Sequence, residues 1–254
     1  MDQKYPNSVK SLVFDTMIKL KDILLEGKPP SIFVPRRIDN RLERMIALYV
    51  RNGSKGNLTL GDLKLTKLPE TLKNVSVNGN FICYNNDLTS LEDAPSSVGG
   101  NFDCSHNKLT SLEGAPKVVD GYFDCSVNKL TSLEGAPTNV GGEFGCNNNN
   151  LTSLEGAPKS VGGDFYCNYN KLTSLDGAPK TVGGVFLCNN NLLTSLKGAP
   201  KNIGKDFYCS ENELTSLEGA PKTVNGDFYC YNNPEPFTER DVRAVCDVKG
   251  KVYI

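Results

Sequence analysis

The 254-residue chain has no run of about 18 apolar residues, the length a membrane-spanning helix needs. Its first residues, Met1-Asp2-Gln3-Lys4-Tyr5-Pro6, lack the apolar core of a signal peptide, so the expected location is cytoplasmic. Net charge is only −1, and bulk charge gives no reason to expect a polyanionic partner. There is one histidine, His106, and no serine or acid arranged with it as a nucleophilic triad would require. No P-loop or dinucleotide fingerprint occurs: the Gly-Gly pairs recur as corners and never open a helix. No CxxC spacing occurs either. The sequence therefore implies no cofactor, no metal and no catalytic residue, and the expectation is a protein that is not an enzyme.

The near-zero charge hides an asymmetry. Residues 1–55 sum to +5 and the remainder to −6, so a basic head precedes an acidic body.

Cysteine occurs nine times, and its spacing organises the chain. Cys83, Cys104, Cys125, Cys146, Cys167, Cys188, Cys209 and Cys230 fall 21 residues apart without a slip. A fixed period of that size marks a solenoid rather than a disulfide framework. Other columns keep the same beat: Phe81 to Phe228, Asn86 to Asn233, Leu88 to Leu214, Leu91 to Leu217 and Pro95 to Pro221.

The run Phe165-x-Cys167-x-x-Asn170-x-Leu172 resembles the leucine-rich repeat, L-x-x-L-x-L-x-x-N-x-L, with Phe and Cys at the two strand positions. The wording Leu151-Thr152-Ser153-Leu154-Glu155-Gly156-Ala157-Pro158 resembles short repeats in predicted proteins of large tailed bacteriophages. More distantly it is similar to bacterial leucine-rich repeat effectors. The resemblance implies an α+β solenoid with one parallel strand per 21-residue coil, an extended or 3-10 convex side and about nine coils over residues 56–233. It also implies a phage-encoded factor that binds and modulates or inhibits a host or phage protein.

The columns have physical readings of their own. Phe and Cys at i and i+2 point to one side of a strand, into the core. Cys suits a narrow interior because a free thiol packs as a small hydrophobe. Asn turns the chain after the strand, and its amide can bond neighbouring coils as a ladder. Pro and the Gly pairs allow tight corners and close backbone approach.

A solenoid must be capped at both ends. Apolar spacing predicts helices over 8–26 and 39–51, separated by an extended 31–35, which makes residues 1–55 a basic helical N-terminal cap. Residues 234–254 read as the C-terminal cap, with a capping-box helix start at Thr238.

What varies between copies is free to recognise something. The outward strand columns put Tyr166, Tyr208, Tyr229, Asp164, Asp206, Asp227, Glu143 and Leu187 on the expected concave face, with Tyr169 and Tyr231 just beyond Cys. Tyr gives wide contact at small entropic cost, and flanking carboxylates favour a basic protein patch. The expected partner is a protein, bound by a monomer. The alternative surface is the basic head, where Arg36, Arg37, Arg41 and Arg44 lie at helical spacing and would suit nucleic acid.

Overall fold

Eight coils begin with a Phe strand that turns at an asparagine, and a strand without Phe continues the row at either end. In the computed structural model, which describes residues 36–254, with side chains from Arg41 onward, these strands stack as a ten-stranded parallel ladder running from Leu58–Thr59 to Val252–Tyr253. The register is uniform: Phe81 pairs with Phe102, Phe102 with Phe123, and so on to Phe207 with Phe228. All eight Phe rings are fully buried, with successive centroids 5.1–5.8 Å apart. Each ring removed from water contributes on the order of 2–3 kcal/mol.

The extended segment on the opposite wall also pairs. Its two-residue strands, such as Ser97–Val98 and Thr181–Val182, form a second parallel ladder of nine strands. In each strand the second residue is buried; the first is exposed in all but one, where Thr223 is half-buried, and is almost always polar. The solenoid thus has about nine coils and two sheets, its extended wall being hydrogen-bonded as well. Among the described residues one 3-10 turn occurs, Glu70–Leu72, in the first coil.

The asparagine column ties coil to coil. Asn149 Oδ1 accepts the Leu130 N–H of the preceding coil at 3.0 Å. Its Nδ2 donates back to Cys125 O at 3.1 Å, and within its own coil to Cys146 O and Asn147 O at 3.1 and 3.3 Å. The same arrangement recurs at Asn107, Asn170, Asn191 and Asn212. A buried amide is tolerable only because both its ends are satisfied.

Glycine serves two separate needs. In the Leu-Glu-Gly-Ala-Pro corner, Gly114 to Gly219 hold φ between +85° and +93°, a region L side chains rarely adopt. In the Gly-Gly corner φ is ordinary, but a side chain at Gly162 would collide with the Gly141 carbonyl of the coil before it.

The nine thiols are free and buried. Several make weak bonds to the next coil, such as Cys125 Sγ to Gly145 O at 3.2 Å. Burial raises the pKa throughout the column, to about 11 for Cys230, which makes the thiolate inaccessible at neutral pH.

Both ends of the described chain join this core. Helix α1 (Arg36–Arg51) starts three residues ahead of the predicted 39 and buries Leu42 and Ile46 in the same continuous core as Leu58, Leu68 and Leu72. Tyr49 Oη donates to Ser54 O at 2.7 Å and Gly56 O at 3.1 Å, fixing the exit from the helix. The predicted helix over 8–26 and extended 31–35 lie outside the described residues. At the other end α2 (Glu239–Val245) opens with the capping box expected at Thr238, completed by Asp241. Asp247–Val248 and Val252–Tyr253 then add one more rung to each ladder, and Arg243 ties the two together through Val248 O and Gly250 O.

Two outcomes check this account. Asn149→Ala removes four hydrogen bonds, three of them buried, and is expected to lower unfolding stability by about 2–4 kcal/mol in urea titration. Thiol reagents are expected to leave the native cysteines unmodified and to titrate all nine in denaturant.

Candidate functional site

Three neighbouring rows lie along the outward side of the Phe ladder, and the structure assigns them different jobs. The row just before Phe holds Asn80, Asn101, Tyr122, Glu143, Asp164, Val185, Asp206 and Asp227. Wherever it carries Asn or Asp, the side-chain oxygen accepts the backbone N–H of the same row one coil on: Asn80 to Asn101, Asn101 to Tyr122, Asp164 to Val185, Asp206 to Asp227, Asp227 to Lys251, at 2.7–3.0 Å. Asp164, Asp206 and Asp227, expected as contact residues, each therefore spend one oxygen on the stack. The other oxygen is available in Asp206; in Asp164 and Asp227 it receives a tyrosine hydroxyl, from Tyr166 at 2.7 Å and Tyr229 at 3.3 Å. Glu143 is exposed and makes no such backbone bond.

The row between Phe and Cys forms the face proper: Ile82, Asp103, Asp124, Gly145, Tyr166, Leu187, Tyr208, Tyr229 and, from the last rung, Tyr253. Tyr208 and Tyr229 stack with centroids 4.1 Å apart and planes 4° from parallel, and Tyr229 and Tyr253 follow at 4.5 Å and 4°. Parallel in-register pairing produces this stack, which shows solvent the ring edges and hydroxyls. Tyr253 was not among the expected residues because it lies 24 rather than 21 residues after Tyr229. Leu187 and Tyr166 are half-buried between the stack and Gly145.

Asp103 and Asp124 are paired neighbours on the same face. Asp103 Oδ1 accepts from Ser105 Oγ at 2.6 Å and Ser105 N at 3.0 Å; Asp124 Oδ1 accepts from Ser126 N at 2.8 Å. Burial raises the pKa of both. Burial first, and then the Asp103 charge, push Asp124 up to about 6, while the serine bonds and His106 act the other way. Partial desolvation and then the Asp164 charge also raise the largely exposed Glu143, while Lys205 acts the other way. Sequence reasoning left this acidic half out of the expected site because the tyrosines dominated the comparison of copies.

The third row follows the residue after Cys and has left-handed backbone throughout. Asn85, His106, Val127, Asn148, Tyr169, Asn190, Glu211 and Asn232 all have φ between +50° and +54°. Tyr169 is exposed there, and Tyr231, one row nearer Cys, is half-buried. In α1, Arg44 is exposed and Arg41 half-buried; Arg36 and Arg37 lie in the helix ahead of the residues with described side chains. An open groove of about 640 Å³ runs along the other wall, over Val118, Asn139, Ser160, Thr181 and Asn202 of the shorter ladder. None of the expected site residues with described side chains lines it.

No family model matches the chain, and no curated protein matches it. Among solved structures the chain is similar to one described as the structure of a Shigella effector LRR domain, with 18% identity and a TM-score of 0.51. The match covers 86% of this chain and 91% of that one. The fold is a leucine-rich repeat solenoid. Among the described residues no helix is long and apolar enough to cross a membrane.

The half-buried acid pair has a measurable consequence. The folded-state pKa of Asp124, about 6, lies above its ordinary 3.8. The carboxyl thus contributes stability in full below about pH 3.8, and that contribution is lost as pH rises through about 6. Asp124→Asn keeps the acceptor for Ser126 and removes the charge. It is expected to be roughly 1–3 kcal/mol more stable than the parent at about pH 7.5, the gap closing near pH 4. Urea titrations across that range measure it; equal stability at both ends would refute the assignment.

Proposed function

We propose that this protein is a non-enzymatic binding module that holds a protein partner on the outward face of its longer ladder. One observation carries the reading. Across coils with the same Phe, Cys, Asn and Leu, the face row alone runs from Asp103 and Asp124 to the stacked Tyr208, Tyr229 and Tyr253. A row that only solubilised the sheet would have no need of stacked aromatics bordered by carboxylates. Tyrosines at such a position serve as contact anchors. Asp206 and Asp227 beside them, and Asp103, Asp124 and Glu143 further along the same face, suit a basic patch and repel phosphate backbone.

The repeat wording extends the proposal to a phage-encoded factor acting in the host cytoplasm, where it modulates or inhibits a host or phage protein. The likeness to an effector domain of the same fold fits a binding role.

The test begins with affinity capture to identify the partner and continues with variants of the intact protein. Tyr208→Ala with Tyr229→Ala is expected to weaken binding by about 2 kcal/mol or more, with the fold unchanged by circular dichroism. Lys159→Ala, on the outer wall, is expected to have little effect. If the tyrosine pair is silent and Arg41→Ala with Arg44→Ala abolishes binding, recognition belongs to α1.

A further inference from the structure

The repeated turn supplies its own internal control. At the eight left-handed positions the backbone is the same, with φ within a few degrees. The amide bonds match as well: His106 to Ser126 O, Val127 to Asn147 O and Asn148 to Asn168 O, at 3.0–3.1 Å. Four copies carry Asn, the residue that tolerates this conformation. Val127 is the opposite choice. A β-branched side chain is among the worst suited to positive φ. Val127 is also 38% exposed, so burial returns little for the strain. Neither conformation nor packing within the chain accounts for valine there.

The setting of Val127 indicates what does. The rim row borders the acidic half of the face: the charge of His106, the rim residue one coil back, acts on both Asp103 and Asp124. Asp103 and Asp124 lie side by side, with Tyr122 and Glu143 near them. Lys205 acts on Glu143 and lies 3.7 Å from Asp164, further along the stack. The acid pair is thus half-buried with His106 as its nearby basic residue, next to an exposed aliphatic side chain held in strained backbone.

We infer that Val127 and the Asp103–Asp124 pair form the docking point for a basic amphipathic segment of the protein partner. A cationic side chain of that segment meets the carboxylates and an aliphatic one covers Val127. The inference rests on the protein-binding reading above and adds to the tyrosine stack a second contact point, in the acidic half of the same face. Charge complementarity selects the occupant: an acidic segment is repelled, and a purely polar basic one has no use for Val127.

The test uses the intact protein and a short labelled Lys/Leu peptide of helical periodicity, with Glu/Leu and Lys/Ser peptides of the same length, followed by fluorescence anisotropy. The Lys/Leu peptide is expected to bind, more weakly as salt is raised, and the other two to bind at least about tenfold less well. Val127→Asn is expected to melt higher than the parent, because it relieves the strained turn, yet to lose about tenfold in affinity for the Lys/Leu peptide. Asp124→Asn is expected to lose a similar factor, and the Tyr208→Ala, Tyr229→Ala double variant to stay within about twofold. A more stable Val127→Asn with unchanged affinity overturns the inference, as does no gain in stability or no binding of the Lys/Leu peptide. Anisotropy that falls as the protein concentration is raised also overturns it, since the basic α1 of a second copy would then be the occupant. The face reading fails separately, through an unchanged affinity of the tyrosine double variant for the captured partner.

Discussion

The buried asparagine at each turn is the constraint on which the rest of the solenoid depends. One amide joins two coils by accepting from a leucine N–H in the coil behind it and donating to one carbonyl in that coil and another in its own. That geometry admits neither a longer nor a shorter side chain, and it fixes where the strand must end. With the turn fixed, Phe and Cys two positions apart fall into the core and the leucines close the far walls. Gly must stand wherever one backbone crosses another. An unpaired amide in that interior would be costly enough that the network persists only as a whole.

This division separates residues that hold the stack from residues that can change. The pre-Phe row occupies both categories. Its Asn and Asp members brace the next coil, while Tyr122, Glu143 and Val185 in the same row leave the following amide without that side-chain bond. Variation is tolerated because the brace is intermittent: the main-chain ladder and the asparagine column continue past each gap. Asp164 shows how a single carboxylate serves both ends, one oxygen on Val185 N and the other on the Tyr166 hydroxyl.

Much of this was legible in the sequence, for a physical reason. A coil that must match its neighbour in every rung repeats its core residues at one spacing, so Phe, Cys, Asn and Leu declared the fold and the number of coils. The capping box at Thr238 and the apolar face of α1 could be read from local chemistry in the same way. What escaped had no fixed residue type or no fixed period. The second ladder is two residues wide, and its outward member varies among Ser, Thr, Asn and Val. The left-handed row is a property of backbone, and substitution by His, Val, Tyr and Glu concealed it. Tyr253 joins the aromatic stack from a rung whose spacing α2 has stretched. The brace role of Asp206 and Asp227 required knowing which amide faces them.

The asparagine bridge also has a direction. Asn107 reaches back to Leu88 N and Cys83 O, Asn128 to Leu109 N and Cys104 O, and so along the chain. Each coil therefore lacks part of its hydrogen bonding until the next one arrives. On a ribosome, where the N-terminal end emerges first, every newly released coil completes the one before it and leaves a single unfinished edge at the growing tip. Synthesis and folding then proceed in the same order, and the exposed apolar surface stays about one coil wide however many repeats the gene encodes.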